Sequence, residues 1–103
     1  MSTLAITAFE EFEPTGELRK VSGAITAELK ELSPIGSQIQ ITLRKMDQAF
    51  YCVLKVRFAG GSVESRMIQR RAKSALKMAR DQVLRQFTRW KEGRSYRHQP
   101  PPV

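Results

Sequence analysis

The sequence predicts an α+β fold: a two-layer sandwich in which a four-stranded sheet carries two helices on one face. Two observations predict it. In two long segments apolar residues recur every three or four positions, as on an amphipathic helix. In four other segments every second residue is mostly apolar and the residues between are on the whole more polar, as on a strand. The order along the chain is β-α-β-β-β-α, and 103 residues suffice for one domain with a single core.

The first strand and the first helix occupy the beginning of the chain. Leu4, Ile6 and Ala8 alternate with their neighbours and indicate a short strand, with the apolar set expected to face the helices. Thr15 is a suitable N-cap, because its hydroxyl can accept a hydrogen bond from a free amide of the first helical turn. The segment from Pro34 to Gly36 ends the helix. Its apolar stripe consists of Leu18, Val21, Ile25, Leu29 and Leu32.

Three strands form the middle of the chain. The first covers residues 38–44, and residues 45–49 are expected to form a polar connection. The second covers residues 50–58. Gly60-Gly61 then predicts a tight turn, because glycine accepts the positive φ of two-residue hairpins, and the last strand covers about residues 62–68. The faces expected to meet the helices carry Ile39, Ile41, Leu43, Phe50, Cys52, Leu54, Val56, Phe58, Val63, Ser65 and Met67.

The second helix is predicted from about Arg71 to Glu92, with Gly93 as its C-terminal stop. Residues 1–93 are therefore expected to form the domain, and residues 94–103, which include three consecutive prolines, a flexible tail. The apolar stripe of the helix consists of Ala72, Ala75, Leu76, Ala79, Val83, Phe87 and Trp90.

Charge is distributed unevenly along the chain. Residues 1–43 carry three basic and six acidic side chains, a net charge of −3, whereas residues 44–103 carry fifteen basic and four acidic ones, a net charge of +11. So many cations around an ordinary core predict a polyanionic partner, most often a nucleic acid, whose condensed counterions are released when its phosphates are neutralised.

The cations fall into groups on the predicted fold. Four are expected together on the open face of the sheet, where a phosphate backbone would relieve their mutual repulsion: Arg44, Lys55, Arg57 and Arg66. The others flank the apolar stripe of the second helix. One edge carries Lys73, Lys77, Arg80 and Lys91, and the other carries Arg71, Arg85 and Arg89. Few acids are interleaved on this helix, so salt bridges within it do not explain the charges.

Catalysis, metal binding and membrane insertion are not expected. The single histidine, His98, is in the tail, and the single cysteine, Cys52, is on a buried face, so no triad or metal cluster can be assembled. No phosphate-binding glycine loop and no apolar run of membrane-spanning length occurs. We therefore expect a cytoplasmic protein that is not an enzyme, with no cofactor, no metal and no small-molecule substrate.

With these elements assigned, the chain resembles the ribosome hibernation-promoting factor family, which includes the ribosome-associated inhibitor. The family has the same β-α-β-β-β-α order. The similarity runs without a gap from Ile39 to Lys91, and the most similar stretch is residues 81–91, Asp-Gln-Val-Leu-Arg-Gln-Phe-Thr-Arg-Trp-Lys. Leu18-Arg19 and the Gly60-Gly61 turn also match. The resemblance is to the short form of the family.

The resemblance implies a stress-response factor that binds the rRNA of the small ribosomal subunit in the decoding cleft and silences idle ribosomes. It also implies that several cations lie where the family has basic residues. The first helix departs from the family, because Glu28 and Glu31 stand in a segment that is usually rich in lysine. The matching positions are Arg19, Arg44, Arg85, Arg89 and Lys91.

Two alternatives remain open. A double-stranded-RNA-binding module is suggested by residues 70–76, Arg-Arg-Ala-Lys-Ser-Ala-Leu, which loosely resemble the basic helix start of that fold. A protein-interaction adaptor is suggested by the acidic segment 10–13, Glu-Glu-Phe-Glu, and by the proline-rich tail. Deleting residues 94–103 separates the adaptor from the rRNA-binding factor, because only the adaptor would lose its partner.

Overall fold

A computed structural model confirms the predicted α+β fold and its β-α-β-β-β-α order. It describes the backbone of residues 3–96 and the side chains of residues 3–92. The elements are β1 (Leu4–Glu10), α1 (Gly16–Leu32), β2 (Gln38–Met46), β3 (Ala49–Phe58), β4 (Gly61–Gln69) and α2 (Ala72–Tyr96).

The four strands form one sheet in the order β1-β2-β3-β4. β1 runs parallel to β2, and the other neighbouring pairs are antiparallel. The core lies between the sheet and the helices: Leu29 of α1, Leu54 of β3 and Leu76 of α2 are all completely buried. The opposite face of the sheet therefore stays open, as predicted.

The first helix begins as predicted but buries a slightly different stripe. The Thr15 hydroxyl accepts a hydrogen bond from the Leu18 amide at 3.1 Å, which makes Thr15 the N-cap. Ser22 is buried, whereas Leu32, predicted on the stripe, is 39% exposed. Ser22 is tolerated there because its hydroxyl donates to the Arg19 carbonyl one turn earlier.

The prediction for the first strand placed the wrong face against the helices. Leu4 and Ile6 are 59% and 67% exposed, while Ala5 and Phe9 pack against the core. The parallel register explains the difference, because Phe9 is the partner of the buried residue Leu43. Phe9 is the largest apolar side chain of the strand, and placing it in the core turns Leu4 and Ile6 outward.

Both hairpin turns differ from the sequence prediction. β2 and β3 are joined by a two-residue turn, Asp47-Gln48, rather than by a connection of residues 45–49. The second turn is Ala59-Gly60, with Gly61 already in β4. A side chain at Gly60 would place its Cβ 3.1 Å from the Trp90 indole, so the close approach of this ring favours glycine.

The second helix continues through Gly93 to Tyr96, so the predicted end at Glu92 is wrong. A glycine inside a helix costs about 1 kcal/mol relative to alanine, which is not enough to stop an otherwise favourable helix. The remainder of the expected tail, residues 97–103, lies outside the described residues. No helix in the described part has both the length and the apolar character needed to span a membrane.

Candidate nucleic-acid interface

The open face of the sheet brings the four predicted cations together. In the antiparallel register, Arg44 is the partner of Tyr51, and Lys55 and Arg57 follow on the same face of β3. Arg66 of β4 is the partner of Val53, which also faces outward. The face is therefore basic on each of the strands β2, β3 and β4.

Two carboxylates share this face, so it is less uniformly positive than predicted. Glu10 of β1 is the register partner of Arg44, and their side chains form an ion pair of 3.7 Å. Glu64 of β4 accepts a hydrogen bond from Arg66 Nε at 3.0 Å, which raises the pKa of the Arg66 guanidinium. Both acids were visible in the sequence, but their positions beside these arginines depend on the pairing of the strands.

The edge of α2 that carries Lys73, Lys77 and Arg80 faces α1. The Lys73 ammonium donates to Glu17 of α1 at 2.7 Å. This hydrogen bond and the charge of Lys73, with a smaller contribution from Lys77, lower the pKa of the Glu17 carboxyl. Because α1 supplies acids to this edge, part of its positive charge is neutralised within the molecule.

Further along the same edge, the Arg80 guanidinium lies 3.7 Å from Glu28 of α1 and 2.9 Å from Asp81. A groove of about 260 Å³ lies between the two helices, with Val21, Ala24 and Ile25 on its α1 side. Its rim is formed by Glu28, Lys77 and Arg80. Charge pairs therefore link the two helices across this groove, outside the buried core to which both helices contribute.

The opposite edge of α2 lies along β4. Gln82 accepts a hydrogen bond from the buried Ser65 hydroxyl, and the Gln86 carboxamide pairs with the backbone of Glu64. Arg85 and Arg89 follow Gln82 and Gln86 by three residues each, nearly one helical turn, so they lie near this side of the helix, and both are exposed. No carboxylate in the described part forms an ion pair with either arginine.

Three other predicted cations lie elsewhere on the surface. Arg71 is exposed immediately before α2, with no ion pair to a described residue. Arg19 of α1 lies 3.9 Å from Glu13 and 5.9 Å from the centre of the Phe9 ring. Lys91 is exposed near the end of the part of α2 whose side chains the structure describes. The predicted cations thus form several patches that surround the domain.

Other side chains with chemical or stacking potential have surroundings that explain them by packing. Cys52 is completely buried, and desolvation raises the pKa of its thiol to about 12, so the thiolate is suppressed at neutral pH. Tyr51 is half-buried beside Arg66 on the open face. In the described part, no three His, Cys, Asp or Glu side chains are grouped so that they could hold a metal ion.

The acidic segment is anchored to the domain. Phe12 packs edge-on against Phe9 and Phe50, with ring centres 5.9 and 5.1 Å apart. Glu10 and Glu13 each pair with an arginine of the domain. Phe12 and Glu10 are therefore engaged by contacts within the domain, whereas the Glu13 side chain remains exposed.

Two solved structures have the same fold. The Thermus thermophilus Protein Y N-terminal domain superposes with a TM-score of 0.70 over 87% of this chain and 99% of its own, at 18% sequence identity. A ribosomal subunit interface protein from Coxiella burnetii gives a TM-score of 0.73 over 86% of this chain and 98% of its own, at 9% identity. No protein-family model and no curated protein sequence matches the chain. At these identities the likeness establishes a shared fold.

Proposed function

We propose that this protein is a cytoplasmic ribosome-binding factor of the hibernation-promoting type. It binds the rRNA of the small ribosomal subunit at the decoding cleft and so inhibits translation without catalysing a reaction. The observation that carries the proposal is two exposed arginines, Arg85 and Arg89, that form no ion pair with a described carboxylate, on a fold like that of a ribosomal subunit interface protein.

The mechanism is occlusion. Arginine and lysine side chains contact phosphates, and the energy gained from released counterions supplies most of the affinity. The fixed positions of the cations on α2 and on the sheet select an RNA surface of matching shape rather than a base sequence. A domain held in the decoding cleft then excludes tRNA and mRNA sterically.

The packing of α2 supports rRNA contact at the β4 side of this helix. Gln82 accepts a hydrogen bond from Ser65, and Gln86 exchanges two with the Glu64 backbone. These bonds fix the helix on the sheet, so Arg85 and Arg89 are held by a rigid element. On the α1 side, by contrast, Glu17 and Glu28 compensate the cations. The uncompensated edge is the stronger site for a polyanion.

A general double-stranded-RNA-binding module is the second candidate, since the basic start of α2 is exposed. Two features disfavour it. β1 precedes α1 and pairs with β2 as a full member of the sheet, which is not typical of that module. The β2–β3 turn is only Asp47-Gln48, too short to present the minor-groove contacts of such domains.

The test is binding to small ribosomal subunits by a variant with Arg85→Glu and Arg89→Glu. The variant should bind more weakly and with a flatter salt dependence while it remains folded. The matched control is Lys20→Glu with Lys30→Glu, which makes the same charge change at exposed positions of α1. Equal loss in both variants, or no loss in the first, would contradict a contact at this edge.

A further inference from the structure

Four polar side chains form a compact block on the open face of the sheet. Gln38 and Gln40 of β2 are the register partners of Arg57 and Lys55 of β3, so the four side chains stand as two adjacent pairs. A groove of about 120 Å³ lies among them. Every one of these side chains ends in a group that donates hydrogen bonds, namely two amides, an ammonium and a guanidinium.

This block is the uncompensated part of the face. Of the two carboxylates nearby, Glu10 pairs with Arg44, and Glu64 is hydrogen-bonded to Arg66. Within the described part, neither Lys55 nor Arg57 forms an ion pair, although Glu64 is the register partner of Lys55. Glu10 therefore neutralises Arg44 at the far end of the face. The Glu64 carboxylate stands next to Lys55 but pairs with Arg66, so Lys55 and Arg57 keep their positive charge beside the groove.

We propose that this groove is a second RNA-backbone site, so that the protein holds two RNA segments at once, one against the sheet and one against the outer edge of α2. The inference rests on the proposed function for the identity of the polyanion as RNA. Lys55 and Arg57 are two residues apart on one strand, about 6.8 Å, which is close to the separation of neighbouring phosphates. Gln38 and Gln40 would donate to the phosphate oxygens or to the 2′-hydroxyls between them.

The two sites lie on opposite layers of the domain. The groove is on the open face of the sheet, whereas Arg85 and Arg89 are on the helical layer that covers the other face. An RNA helix that lies flat on one layer leaves the cations of the other layer free. Two RNA segments that converge on the protein can contact both layers together, and the domain then clamps them at a fixed distance.

A titration with a short RNA duplex of about 12 base pairs, followed by NMR of the isotope-labelled protein, tests the proposal. The amide signals of residues 38–40 and 55–57 should shift together with those around Arg85 and Arg89. Sedimentation of the saturated complex should give two duplexes per protein. Shifts confined to α2, or a single bound duplex, would overturn the proposal.

Two variants on the same face provide a matched comparison. Lys55→Gln with Arg57→Gln removes the groove cations, and Arg44→Gln with Arg66→Gln removes two cations that have carboxylate partners. The first pair should reduce the complex to one duplex. For small ribosomal subunits, which would contact both sites together, it should lower the slope of log affinity against log salt by about two, because two phosphate contacts are lost. The second should change the slope by less than about one. Equal effects would show that general charge, and not the groove, is responsible.

The outcomes also separate this inference from the proposed function. Two-site binding of the duplex without binding to small ribosomal subunits would overturn the ribosomal assignment and leave the groove as an RNA site. Binding to the subunits that is insensitive to Lys55→Gln with Arg57→Gln would overturn the groove and leave the function. Displacement of the duplex from the groove by an equal concentration of a poly-glutamate peptide would show that an acidic protein is the better ligand, which also overturns the proposal.

Discussion

The Gln86 carboxamide forms two hydrogen bonds with the backbone of Glu64. Its Oε1 accepts from the Glu64 amide at 3.0 Å, and its Nε2 donates to the Glu64 carbonyl. β4 is an edge strand, so these backbone groups have no strand partner. The Gln86 side chain therefore takes the place of a neighbouring strand and closes part of this edge. It also fixes α2, the helix that carries Arg85 and Arg89, on the sheet.

Gln86→Ala should lower the free energy of unfolding by about 1–3 kcal/mol, because it removes both hydrogen bonds from the backbone of β4. Urea denaturation measures the loss, provided that the slope of the free energy of unfolding against urea concentration is unchanged. The control is Thr88→Ala, a change at an exposed position of the same helix. It removes only the hydrogen bond from the Thr88 hydroxyl to the Leu84 carbonyl. Equal stability of the two variants would show that the Gln86 bonds do not hold the helix on the sheet.

Cys52 should not react with a thiol-alkylating reagent in the folded protein at neutral pH, because burial raises the pKa of its thiol to about 12 and blocks access. Denatured protein should react at the rate of a free cysteine. The thiol also makes the free energy of unfolding depend on pH, because its pKa is higher in the folded state than in the unfolded state. Its contribution to this free energy is complete below pH 9 and is lost as pH rises through about 12. Rapid alkylation of the native protein would contradict the buried position.

Gly60→Val should lower the free energy of unfolding by about 1–3 kcal/mol, because the new side chain meets the Trp90 indole. Trp90 is the only tryptophan, so its fluorescence reports the displacement of the ring directly. Gly23→Ala is the control: no atom lies within 4 Å of the added Cβ, and the protein should gain about 0.5–1 kcal/mol. An unchanged spectrum and stability for Gly60→Val would refute the close approach.

Glu17→Gln with Glu28→Gln should strengthen binding to RNA several-fold at low salt and steepen its salt dependence. The reason is that both acids neutralise cations of α2: Lys73 would lose its partner and become available to phosphates, and Arg80 would keep only Asp81. Affinity for a short duplex at two salt concentrations measures the effect. Glu11→Gln with Glu31→Gln controls for net charge, because these acids form no ion pair with a described residue. An equal gain in both variants would contradict local masking.

Much of the fold could be predicted because most of its elements show strong periodicity. The alternation from Ile39 to Leu43 and the cap at Thr15 both carry local signals that the structure confirms. The orientation of β1 could not be predicted, since Leu4, Ile6 and Phe9 are all apolar and the parallel register with β2 decides among them. Long-range pairing, and not local propensity, determines this face.

The candidate interface was predictable in position but not in electrostatic detail. The shared faces of Arg44, Lys55 and Arg57 follow from the period of the strands. The masking of Lys73 by Glu17 does not, because the two residues are 56 positions apart and meet only when the helices pack. Sequence patterns therefore locate the cations, and the structure identifies which of them remain available to a polyanion.

The most direct test of the account is co-sedimentation with purified small ribosomal subunits at two salt concentrations, with excess duplex RNA and with tRNA as competitors. The account predicts stoichiometric binding that weakens with salt, survives the duplex and is antagonised by tRNA. Binding that any duplex abolishes would contradict it and favour a general RNA-binding module. No binding to the subunits at low salt would contradict the ribosomal assignment outright.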